Sequence, residues 1–136
     1  MMRRSTFLCI LFDKDCREYG YEDALFGVEL KKRGISILHI DNPLIHMGLD
    51  TNERFIEKTE QALRTLKTLG ERMEQHSHVG RTYRMFQRFR ATWMLQCTYK
   101  IFGSAIRRNL LSPHPSLFLF SFYKLCYYSQ LKLVDS

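Results

Sequence analysis

No part of this sequence is apolar for long enough to cross a bilayer. The apolar run at residues 117–123 meets Lys124 after seven residues, whereas a spanning helix needs about 20. The four cysteines, Cys9, Cys16, Cys97 and Cys126, contain no C-x-x-C pair, which removes the usual zinc and dithiol redox motifs. They read as free thiols, and the simplest setting is a reducing, cytoplasmic one. A signal peptide is not expected at this start, because Arg3 and Arg4 lead into only six apolar residues, 7–12, before Asp13. Glycine-rich phosphate loops and dinucleotide fingerprints are absent, as are internal repeats and low-complexity tracts. Acidic residues are scarce towards the C-terminus. Residues 76–136 hold one Asp+Glu against nine Lys+Arg, while residues 1–75 hold 13 against 12.

The net charge of +7 over 136 residues is therefore entirely C-terminal. A one-sided basic surface attracts phosphate-bearing partners of any kind. Chain length suits one domain or a piece of one, and 45% hydrophobic with 26% charged residues argues against general disorder.

Residues 7–12 form a continuous apolar run of strand length that ends at the polar stretch 13–18. Residues 22–33 carry acids in the first turn, three bases in the last and Gly34 just beyond, which predicts a helix. Residues 35–40 alternate with β-branched side chains and end at the turn Asp41-Asn42-Pro43, which predicts a strand. The order strand, loop, helix, strand is an α/β pattern. From Asn52, a plausible N-cap, to about Gln75, apolar residues at helical spacing predict one amphipathic helix. A second helix is predicted from Arg81 to about Phe102, rich in aromatics and arginines. Pro113 and Pro115 break the chain before a last apolar segment, residues 117–133.

Chemistry concentrates in residues 12–50. The segment FDKDCREYGYEDALFGVELKKRGISILHIDNPLIHMG resembles the part of bacterial family 2 glycosyltransferases that runs from the acceptor-site loop through a Glu-Asp motif to a following histidine. The likeness covers about residues 7–75 and weakens beyond residue 80. It implies the C-terminal part of a GT-A (Rossmann-like) domain, α/β in class, with strand, loop, helix and strand followed by two or three mainly helical segments. Residues 1–50 would be the acceptor-side catalytic segment, 51–78 an amphipathic helix on it, and 79–136 a basic, aromatic-rich helical extension. The half that binds the nucleotide sugar would lie outside this sequence.

Glycosyl transfer needs a carboxylate to take the proton of a weakly nucleophilic hydroxyl and a neutralising charge at the leaving diphosphate, usually a divalent cation. By resemblance, Asp23 is the general base of an inverting displacement, and Glu22, Tyr21 and Gly20 contact the acceptor. His46 helps hold the metal or diphosphate, with a hydrogen-bonded structural histidine as the other reading. Adjacent acids in a first turn also simply complement the helix dipole. His39 reads as structural. Asp13-Lys14-Asp15 imitates the metal-binding Asp-x-Asp of such enzymes but stands only six residues before Glu22, too close for that motif. The resemblance implies Mg2+ or Mn2+ for the complete enzyme and not for this chain alone. It also implies a nucleotide-sugar donor and a glycan or lipid-linked acceptor in polysaccharide assembly.

The aromatics Tyr83, Phe86, Phe89 and Trp93 recur at helical spacing, which favours a packed face over stacking on nucleic acid. An interfacial helix is the further reading, with Arg107, Arg108 and Lys124 at lipid headgroups and peripheral contact through residues 107–128. That reading puts the chain at the inner face of the membrane. The competing class is a non-catalytic, basic, membrane-apposed interaction module.

Overall fold

The computed structural model describes residues 20–38, 40–41, 48 and 50–131. Six helices occupy this part of the chain: α1 (Glu22–Lys32), α2 (Asn52–Leu69), α3 (Glu71–Glu74), α4 (His78–Arg88), α5 (Thr92–Leu110) and α6 (Leu117–Gln130).

Helix α1 stops where its sequence directs. Arg33 is the C-cap, Gly34 is left-handed at φ 67°, and the N–H groups of Gly34 and Ile35 donate to the carbonyls of Lys31 and Leu30. This is a Schellman closure, which satisfies carbonyls that the helix would otherwise leave open.

The α/β reading fails at the next step. Residues 35–38 and 40 form no strand, and the side chains of Ile37, Leu38 and Ile40 are 52%, 84% and 70% exposed. Helices account for 74% of the described residues, and none of those residues is in a strand. The GT-A, Rossmann-like assignment is therefore corrected to an all-helical architecture over this part of the chain. The physical reason is that alternation makes a strand only when a neighbouring strand takes up its N–H and C=O groups. Ile35 already gives its N–H to the end of α1, and no adjacent strand edge exists among the described residues. The expected strand at 7–12, the turn residues Asn42 and Pro43, and His39 lie outside the described residues.

Helix α2 begins one residue earlier than expected, because the side chain of Thr51, not Asn52, accepts from the N–H of Arg54 at 3.3 Å. Asn52 instead donates to the Ser112 carbonyl at 2.8 Å, tying α2 to the α5–α6 turn. The single helix expected to Gln75 is interrupted at Gly70, whose φ of 56° with ψ of −142° suits glycine alone. The second expected helix is also split. Arg90 adopts φ 55°, and the N–H groups of Arg90 and Ala91 close α4 on the carbonyls of Gln87 and Phe86.

Helices α5 and α6 form an antiparallel hairpin across the Pro113–Pro115 turn. Gln96, near the start of α5, donates to the Ser129 carbonyl near the end of α6, while Asn109 at the other end accepts from the Ser116 N–H. Helix α6 is the centre of the structure. Its Tyr123, Cys126 and Tyr128 are almost completely buried, and it packs against α2, α4 and α5. One apolar cluster joins Leu25 of α1 to Leu63 and Leu66 of α2, Tyr83, Leu95, Cys126 and Tyr128. A second joins Ile56, Ile106, Leu110 and Tyr123.

The buried tyrosines bring their hydroxyls to carboxylates, as burial requires. Glu60 Oε1 accepts from both Tyr123 and Arg107, at 2.7 Å each. Tyr128 donates to Glu74 Oε1, and Lys67 Nζ sits 4.6 and 4.7 Å from the ring centres of Tyr83 and Tyr128.

Candidate functional site

The Glu-Asp pair opens α1, and the loop before it is tightly constrained. Gly20 has φ 108° and Tyr21 has φ 68°, two successive positive values that turn the chain into the helix. The glycine is required on two grounds. A Cβ there would come within 2.5 Å of the Ala62 Cβ, so α2 approaches the loop backbone directly, and the dihedral itself is poor for any L side chain. Tyr21 tolerates its left-handed backbone at a cost of about 1–2 kcal/mol. Its ring is anchored against the main apolar cluster, and burial raises its hydroxyl above the usual range, partly offset by a hydrogen bond with Ser77. Strain of this kind persists where surrounding contacts over-determine the backbone, and it is often found at working sites.

The two acids then take different positions. Glu22 folds back, and its Oε2 accepts from the Gly20 N–H at 2.7 Å. Asp23 is exposed, and its Oδ1 accepts from the N–H of Ala24 at 2.7 Å. Local capping alone thus engages one oxygen of each carboxylate.

What surrounds them comes from elsewhere in the chain. Residues 20–24 form one wall of an open groove of about 980 Å³, within the range of small-molecule sites. Helix α2 supplies Phe55, Lys58, Thr59 and Ala62, and helix α6 supplies Phe120 and Lys124. Phe55 and Phe120 lie with ring centres 5.4 Å apart. Lys124 Nζ stands 4.5 Å from the Phe120 ring centre, and burial lowers its affinity for a proton. Lys58 Nζ is 2.6 Å from Asp50 Oδ2, on the same groove wall, and Arg54 is 3.6 Å from Oδ1 of that aspartate.

Four of the five residues singled out from sequence, Gly20, Tyr21, Glu22 and Asp23, thus come together on one groove. The fifth, His46, lies outside the described residues. Among the described residues, no group of three His, Cys, Asp or Glu side chains gathers in a form that could hold a metal ion. Lys58, Lys124, Phe55 and Phe120 gave no signal in the sequence beyond their type. Phe120 sits in an apolar run that looks like core, and Lys124 in the basic excess.

No known protein family, curated protein or solved structure matches the chain.

Proposed function

We propose that this chain contributes the acceptor side of glycosyl transfer, with Asp23 as the general base for a sugar hydroxyl. The observation that carries this reading is the groove itself, where an exposed carboxylate, a second carboxylate and two phenylalanine rings face the same space. Carboxylate oxygens accept from sugar hydroxyls, and aromatic faces cover the apolar C–H faces of a pyranose ring.

In this arrangement the acceptor hydroxyl donates to the Asp23 carboxylate. As the hydroxyl oxygen attacks the anomeric carbon from the side opposite the leaving group, the bond to the donor's diphosphate breaks, the hydroxyl proton passes to Asp23 and configuration inverts. The Ala24 N–H on Oδ1 holds the carboxylate in register with the helix. Glu22, held by the Gly20 N–H, positions the loop and presents its second oxygen to another hydroxyl. A general base of this kind contributes about 10²–10⁴-fold to the rate.

Saturation-transfer NMR of the chain with a panel of methyl glycosides tests acceptor binding. At least one glycoside is expected to receive magnetisation, with loss of the signal on Phe120→Ala. In a turnover assay with sugar-nucleotide donors, run on the complete enzyme that joins this chain to a donor-binding half, Asp23→Asn is expected to retain glycoside binding and to lower transfer by at least about 10²-fold. If no glycoside is contacted, or if Asp23→Asn turns over like wild type, the reading is wrong.

A further inference from the structure

Helices α4, α5 and α6 also carry a large apolar surface that the groove does not use. Phe102 and Ile101 of α5 are 55% and 68% exposed, and Leu117 and Phe118 at the start of α6 are 80% and 78% exposed. Phe102, Phe118 and Phe122 line an apolar furrow of about 430 Å³ between α5 and α6. Phe118 and Phe122 also line a second furrow of about 290 Å³ that runs to His78 and Thr82 of α4. The two furrows share these rings, so the apolar surface is continuous over three helices. Contiguous exposure of this kind marks an interaction surface.

The helices that carry this surface hold charge of one sign, with Glu71 of α3 beside Arg84 at 3.8 Å. Residues 76–131 contain eight Lys+Arg and no Asp or Glu. Arg81 and Arg88 are exposed on α4, seven residues apart and hence on one face, with Met85 between them, itself 51% exposed. Arg108 is exposed on α5, two turns beyond Ile101 on the same side. Cations thus flank protruding apolar side chains.

We infer that α4, α5 and α6 dock on the surface of an anionic lipid bilayer, with Phe102, Leu117 and Phe118 in the acyl boundary and Arg81, Arg88 and Arg108 at the headgroups. Protein partners are selected by matching charges of both signs, and α4, α5 and α6 carry positive charge alone. A nucleic-acid backbone would leave the leucine and phenylalanine side chains without apolar cover. An interfacial depth also agrees with helix length, since no helix among the described residues is long and apolar enough to cross a membrane. Lys124 lines both the second furrow and the Asp23 groove, so docking would bring that groove to the edge of the lipid surface. The inference does not depend on glycosyl transfer, and each can fail alone.

The test is cosedimentation of the full chain with phosphatidylcholine vesicles containing about 30% phosphatidylserine, at low salt. The chain is expected to sediment with them and to bind at least about tenfold more weakly to pure phosphatidylcholine, or when salt is raised to about 0.5 M, where the Debye length is only a few ångströms. Phe102→Ser with Phe118→Ser is expected to lower binding about tenfold with an unchanged circular dichroism spectrum, since both side chains are exposed. Arg81→Gln with Arg88→Gln and Arg108→Gln is expected to abolish the phosphatidylserine preference. Failure of the wild-type chain to sediment overturns the inference. So does binding that both sets of substitutions leave intact, or a stable dimer in solution that shows no vesicle binding.

Discussion

Replacing Gly20 by alanine probes the contact on which the candidate site is built. Two costs add. The dihedral of +108° is one that L residues rarely adopt, worth about 1–3 kcal/mol. The new Cβ meets the Ala62 Cβ at 2.5 Å and its Cα at 2.8 Å, an overpacking worth about 1–3 kcal/mol more. Gly20→Ala should therefore destabilise by about 2–6 kcal/mol, a large part of the roughly 5–15 kcal/mol typical of a domain. Ala62→Gly removes the facing methyl but places glycine inside α2, costing about 1 kcal/mol by itself. It cannot relieve the dihedral. The double variant should thus be more stable than the sum of the single changes predicts, by only part of the overpacking contribution, because the contact with the Cα of residue 62 at 2.8 Å remains. Urea unfolding of the four proteins, followed by far-ultraviolet circular dichroism, measures the cycle. A Gly20→Ala protein within about 0.5 kcal/mol of wild type, or a strictly additive cycle, would show that α2 does not hold the Asp23 loop as described.

Further outcomes follow from particular side chains. Arg90→Gly should stabilise by about 0.5–1 kcal/mol, because Arg90 occupies the left-handed position of a Schellman closure at φ 55°; a lower unfolding midpoint would refute this. Burial raises the hydroxyls of Tyr21, Tyr83, Tyr123, Tyr127 and Tyr128 above their ordinary value of 10.0. The folded protein therefore holds these protons more tightly than the unfolded chain, and their contribution is complete below about pH 10 and lost as pH rises above it. Burial lowers Lys67 and Lys124 from 10.5, which works in the opposite direction, with stability rising as pH climbs towards that value. Five tyrosines against two lysines give a net fall above about pH 10, read from urea midpoints at successive pH values; a midpoint that climbs through this window would reverse the assignment. Burial also pushes the Cys126 thiol up to about 11, whereas Cys97 is exposed. Cys97→Ser should remove one thiol that reacts with a disulfide reagent under native conditions, and Cys126→Ser should change nothing until the protein unfolds.

Local signals in the sequence translated well into local structure. The acids at 22 and 23 and the bases before Gly34 bounded α1 to within one residue, since capping involves neighbours in the chain. The breaks at Gly70 and Arg90 were harder. Periodicity runs through both, and the interruption at Arg90 depends on a left-handed backbone that arginine does not advertise. The alternation at residues 35–40 was the most misleading signal. Strand formation is a property of pairs, and one alternating segment says nothing about whether a partner lies beside it.

The candidate site divides along the same line. Gly20, Tyr21, Glu22 and Asp23 are adjacent in sequence and were visible together, whereas their surroundings reach them from α2 and α6, 30 to 100 residues away. Helix α6 joins the two because its surface is used on more than one side. Tyr123, Cys126 and Tyr128 are buried in the core, while Phe120 and Lys124 reach the groove. A run such as residues 117–123 therefore looks uniformly apolar in one dimension and yet supplies the core, the groove wall and the exposed tip at Phe118. Composition cannot distinguish those three uses. They are set by the rotation of α6 against α5, and a substitution that turned α6 by even one residue would exchange Lys124 for a buried neighbour and leave Lys58 as the lysine of the groove.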